Sequence, residues 1–148
     1  MAETATAPLQ APRGVRILHV GGSSAQADRL RSTLEQSRTL ACALVHVERV
    51  ADVAEHPDAK DSEAVVLDLC GGGARLSALT SLREVLPRLP IIVIGDDDSE
   101  EIATEALAQG ASGYLLSSEV STRLLVTTLG AALGIQRALV QLDSAREQ

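Results

Sequence analysis

Five short apolar runs, at residues 15–20, 41–47, 64–69, 91–94 and 113–116, constrain this chain more than any other feature. They are rich in leucine or β-branched residues and have the length of strands rather than helices. Between them, apolar residues recur at helical spacing: Leu30 and Leu34, then Leu79, Leu82 and Leu86, then Ile102, Ala106 and Leu107. The pattern predicts five strands separated by four helices. Runs 15–20, 64–69 and 91–94 are almost unbroken, which requires burial on both faces and a parallel sheet covered by helices. The expected fold class is therefore α/β, a doubly wound five-stranded parallel sheet with flanking helices.

Local punctuation agrees. Ser99 is placed to cap a helix whose first turn carries Glu100 and Glu101, and Gly110 suits the left-handed residue that ends it. Residues 1–13 are small, polar and proline-punctuated and read as a disordered lead. Residues 14–120 read as the domain core, and 121–148 as a last helix extending into a connector or dimerisation helix. With 148 residues, one domain is expected. No phenylalanine or tryptophan is present, so the core must be aliphatic.

A formal net charge of −7 argues against direct nucleic-acid binding or an anionic membrane surface. No apolar run approaches the roughly 20 residues needed to cross a bilayer, and no signal peptide opens the chain, so a cytoplasmic location is expected. Cys42 and Cys70 form no CxxC, and His19, His46 and His56 are scattered, so neither a disulfide nor a zinc site is indicated.

The last segment places Leu125, Thr128, Ala132, Ile135, Leu139 and Leu142 at alternating spacings of three and four. This is a heptad stripe. Its inner edge can cover the sheet, while the part beyond Gly134 is harder to bury in so small a domain. Leu125, Ala132, Ile135, Leu139 and Leu142 are thus candidates for the seam of a homodimer.

Several strings resemble the receiver domain of two-component response regulators, a flavodoxin-like (CheY-like) fold with strand order 2-1-3-4-5. VRILHV is similar to the first receiver strand, AVVLDL to the third, PIIVIG to the fourth, and EALAQGASGYLL to the fourth helix and fifth strand. The resemblance covers roughly residues 15–141. It implies a crevice at the carboxyl ends of the strands, where Asp68 stands at the phosphoacceptor position. Receivers add an acidic pair that holds a divalent cation, a hydroxyl after strand four and a lysine after strand five. Those positions here hold Gly21 and Gly22, Gly95, and Ser117.

Phosphoryl transfer to Asp68 brings like charges within about 4 Å, at a cost on the order of 4 kcal/mol per pair. A metal and a lysine normally offset that. The resemblance, with these losses, implies a degenerate or pseudo-receiver: a non-enzymatic, phosphorylation-independent signalling module that binds protein partners, uses no cofactor, and forms the N-terminal part of a multidomain bacterial signalling protein. Asp68 is then vestigial, retained by descent or for accepting backbone N–H bonds at the strand end.

Two alternatives stay open. Asp68 can act in a phosphorelay with Mg²⁺ held by Asp68 and Asp96 or Asp97, drawing on the acidic run Asp96, Asp97, Asp98, Glu100 and Glu101. The turn from Gly21 to Ser24 can cradle a nucleotide phosphate or other anion as a small-molecule sensor. Gly71, Gly72 and Gly73 mark a flexible loop or a close approach by a partner. Tyr114, the only aromatic residue, matches the position through which receivers couple their crevice to a partner face, and is a candidate switch or interface residue.

Overall fold

In the computed structural model the described residues are 15–38, 41–59, 61–70 and 76–147, with the helical path alone described beyond Gly134. The strands are β1 (Val15–Val20), β2 (Cys42–Val47), β3 (Ala64–Asp68), β4 (Ile91–Gly95) and β5 (Gly113–Leu116). The helices are α1 (Ser24–Glu35), α2 (Ala78–Val85), α3 (Glu100–Ala108) and α4 (Thr122–Glu147). All four strand pairings are parallel, and the order across the sheet is β2-β1-β3-β4-β5.

Burial explains the unbroken runs. Every residue of β3 and β4 is buried, because both faces of those strands are covered. One face sets Ile17, Val66 and Ile92 against Leu30 and Leu34 of α1 and Leu125, Leu129, Ala132 and Leu133 of α4. The other sets Leu18, Val20, Leu67 and Val93 against Leu79 and Leu82 of α2 and Ala106 of α3. Each such large aliphatic side chain contributes roughly 1.5–3 kcal/mol. No helix among the described residues is long and apolar enough to cross a membrane.

Two expectations are corrected. Only three helices lie between the strands among the described residues, because the β2–β3 connection forms a 3-10 turn at Val50–Asp52 and then further turns. Its backbone bonds run three residues back, as in Val53 N–H to Val50 O, His56 to Val53 and Ala59 to His56. Pro57 supplies no N–H and disfavours the helical conformation of His56, while fully buried Val53 and Ala59 plug the face a helix would cover.

The second correction concerns the last helix. Leu125 and Ala132 are buried in the domain's own core together with Leu129 and Leu133, so they are not available to a second copy. The side chains of Ile135, Leu139 and Leu142 lie outside the described residues.

Helix caps position the crevice. Ser23 caps α1 in a reciprocal pair: its Oγ accepts from Gln26 N–H at 3.2 Å and its own N–H donates to Gln26 Oε1. Ser99 Oγ caps α3 by accepting from Ile102 N–H at 3.2 Å. Gly110 follows α3 at φ +107°, in the left-handed region expected of it.

Candidate functional site

The carboxyl ends of β1, β3, β4 and β5 converge on Asp68. Parallel register pairs His19 with His46 of β2 and with Val66 of β3, so His46, His19 and Asp68 project from one sheet face. His19 is fully buried, and its Nε2 lies 2.9 Å from Asp68 Oδ2. An ionised carboxylate only accepts, so His19 Nε2 carries the bonding proton. The other ring nitrogen, Nδ1, is buried without a hydrogen-bond partner. The His46 ring sits 4.9 Å from that of His19, and its Nε2 donates to Gly21 O at 3.0 Å.

Asp68 Oδ1 accepts from Cys70 N–H at 2.9 Å. Burial pushes the Asp68 carboxyl up, but the His19 hydrogen bond, those from Cys70 and the field of His19 together outweigh it and hold the group below its ordinary value. The carboxylate is thus ionised and engaged through both oxygens.

The β1–α1 turn closes over this pair. Gly21 and Gly22 adopt φ +90° and +71°, which glycine reaches without strain. A Cβ on Gly22 would lie 3.0 Å from Asp68 Oδ2 and 2.7 Å from Gln26 Oε1, so the turn backbone sits directly against the carboxylate. Three amide donors at this turn are committed: Gly21 N–H to Val47 O, Ser23 N–H to Gln26 Oε1 and Gln26 N–H to Ser23 Oγ.

On the other side Ser117 Oγ donates to Asp96 Oδ1 at 2.8 Å. Asp97 Oδ1 accepts from Ser99 N–H at 2.9 Å, so it serves the α3 cap. Buried Cys70 lies among these groups. Burial is the main cause that lifts its thiol to about 12; a hydrogen bond from Ser117 opposes it, and the adjacent Asp96 and Asp68 carboxylates add to the rise. Tyr114 is half-buried and its hydroxyl donates to Asp97 O at 2.7 Å. Burial and the Asp97 charge push the phenol up. A cleft of about 130 Å³ opens above Asp68, bounded by Gln26, Arg29, Cys70, Ser117 and Val120. Gly71, Gly72 and Gly73 lie outside the described residues.

This donor set does not fit a divalent cation of the kind that receivers hold. Mg²⁺ takes an octahedral oxygen shell with one or two carboxylates. Asp68 is already paired with an imidazole and a backbone N–H, the acidic-pair positions are glycine backbone, and Asp96 is bonded to Ser117. Among the described residues no three His, Cys, Asp or Glu side chains group as a metal site.

No protein-family model matches the sequence, and no curated protein matches it. Solved structures do match. The Francisella response regulator 1452 receiver domain superposes with a TM-score of 0.67 at 17% identity, over 81% of this chain and 97% of that one. A response regulator receiver domain protein from Clostridium thermocellum gives 0.68 at 16%, over 84% and 98%. Brucella abortus NtrX, solved in complex with ADP, gives 0.74 at 18%, over 90% of this chain and 29% of that one.

The chain has the receiver fold. Within it, Asp68 ends β3, Gly21 and Gly22 follow β1, Gly95 ends β4, and Ser117 follows β5, where the resemblance places the phosphoacceptor, acidic pair, hydroxyl and lysine. In the sequence alone His19 and His46 are scattered histidines. Their signal was the paired strings ILHV and LVHV, which place both histidines at the same strand position once β1 and β2 are laid parallel.

Proposed function

We propose that this chain is a phosphorylation-independent, receiver-like signalling module that works by binding protein partners rather than by catalysis. The observation that carries the reading is the buried His19–Asp68 pair at 2.9 Å. In a phosphoacceptor, Asp68 would need a free oxygen and a cation to offset the incoming charge. Here an imidazole from the neighbouring strand occupies that oxygen, and releasing a hydrogen bond to a charged group costs about 1.5–3 kcal/mol before any repulsion is counted. The glycines at 21, 22 and 95 and the serine at 117 supply no replacement charge. The module fits the N-terminal regulatory part of a bacterial signalling protein, with α4 leading toward a following domain or a second copy through Ile135, Leu139 and Leu142.

The test is thermal melting with millimolar Mg²⁺ and beryllofluoride. The melting temperature should not move. A saturable, Mg²⁺-dependent rise that disappears in Asp68→Asn would establish phosphoacceptor chemistry instead.

A further inference from the structure

Gly95 is the last residue of β4, and the space its side chain would take is filled from β5. A Cβ there would lie 2.5 Å from Tyr114 Oη, 3.1 Å from Cζ and 3.3 Å from Cε2. Register explains the meeting: Tyr114 pairs with Val93, and Gly95 lies two residues farther along the same face. The backbone of Gly95 does not require glycine, since its φ is not positive. Only the phenol ring does.

The ring is held at its far end, where its hydroxyl donates to Asp97 O at 2.7 Å. Asp97 in turn accepts from Ser99 N–H at 2.9 Å, and Ser99 caps α3. One connected path therefore runs from β5 through Tyr114 and the β4–α3 loop into α3. Ser117 bonded to Asp96 ties the same loop to the residue after β5.

We propose that Gly95 and Tyr114 form a latch that keeps the β4–α3 loop in a single conformation, so that the α3–β5 edge is presented to partners in one state. This deepens the reading of a module without a phosphorylation switch. It is measured on Tyr114 alone, so either idea can fail while the other stands.

Because Tyr114 is the only tyrosine and there is no tryptophan, intrinsic fluorescence reports this one ring. In the native chain, acrylamide quenching should be well below that of free tyrosine amide. Gly95→Ala should raise it toward the free value, with the far-ultraviolet dichroism retained. Glycine weakens a strand, so without the ring contact alanine would raise the melting temperature. The latch requires the opposite sign: Gly95→Ala lowers the melting temperature with Tyr114 present and loses that effect in Tyr114→Leu. Failure of the single variant to fold, with the double variant folding, supports the latch equally. Unchanged quenching in a folded Gly95→Ala chain, or an equal loss in both backgrounds, overturns it.

Discussion

Replacing His19 with leucine tests the central pair most directly. Leucine fills a similar volume, so the change removes a proton donor without opening a large void. It leaves Asp68, only 6% exposed and held ionised, with the Cys70 N–H as its remaining bond at 2.9 Å. Removing the donor to a buried charged acceptor costs about 1.5–3 kcal/mol, and the near-complete burial of Asp68 places this case near about 3 kcal/mol. For a domain of this size that corresponds to a fall in melting temperature of roughly 6–12 °C. Asp68→Asn should cost less, about 1–3 kcal/mol, because the amide keeps an acceptor for Cys70 N–H. In the double variant His19→Leu with Asp68→Asn, the carboxylate that made the first change costly is gone. The combined loss should therefore fall short of the sum by at least about 1 kcal/mol.

The pH dependence follows from the direction of the Asp68 shift. Its folded value lies below the ordinary carboxylate value of about 3.9, so the unfolded chain takes up the proton first as the pH drops. The stabilisation is full above about pH 5 and disappears as the pH falls through the folded value, so Asp68→Asn should converge on the native chain in acid. Urea titrations of the four chains between pH 3 and pH 7 measure all of this. A His19→Leu chain within about 0.5 kcal/mol of native, the usual range of a surface substitution, would refute the reasoning. Strictly additive losses would refute it too.

Three further outcomes follow from the same geometry. In a Cys42→Ser background, Cys70 should react with a maleimide at pH 8 only as fast as the chain unfolds, since its thiol is buried and lifted to about 12; rapid labelling of folded protein would contradict this. Gly22→Ala should cost at least about 1–2 kcal/mol by denaturant titration, because alanine is strained at φ +71° and its Cβ meets Gln26 and Asp68; a neutral effect would place the turn elsewhere. If α4 pairs two copies through Ile135, Leu139 and Leu142, light scattering should find a dimer that Ile135→Glu with Leu139→Glu converts to monomer, whereas a monomeric native chain at tens of micromolar would end that proposal.

What could be read from the chain depended on whether the signal was local or needed register. Runs such as 64–69 and 91–94 declare a doubly covered parallel strand by themselves, because no half-exposed strand tolerates four consecutive aliphatic residues, as at 64–67 and 91–94. Caps are equally local: Ser99 and Gly110 act within one turn of their helix, and both stand where their side chain, or lack of one, is used. The β2–β3 connection failed that kind of reading. Among the described residues only Val53 and Ala59 are fully buried there, too few to set a helical period, so the expectation of a helix rests on the alternation of the other segments. The last helix failed differently. Leu125, Leu129, Ala132 and Leu133 form the wide face of a helix packed on a sheet, at i, i+4, i+7 and i+8, and the heptad reading caught two of the four because both patterns share positions at three and four.

The candidate site divides the same way. Asp68 was legible as the end of a strand, and the glycines and serine around it as missing charges. The partner that answers Asp68 was not, because His19 is forty-nine residues away and only the β1–β3 register brings it diagonally across the sheet. That distinction bears on mechanism. A carboxylate with no donor facing it would be an unpaired buried charge, costly to keep and quickly neutralised by a raised pKa. Asp68 is shifted the opposite way, and the shift needs a donor that only folding supplies. The His19–Asp68 pair thus makes the carboxylate a part of the folded structure: its charge is answered from within the sheet.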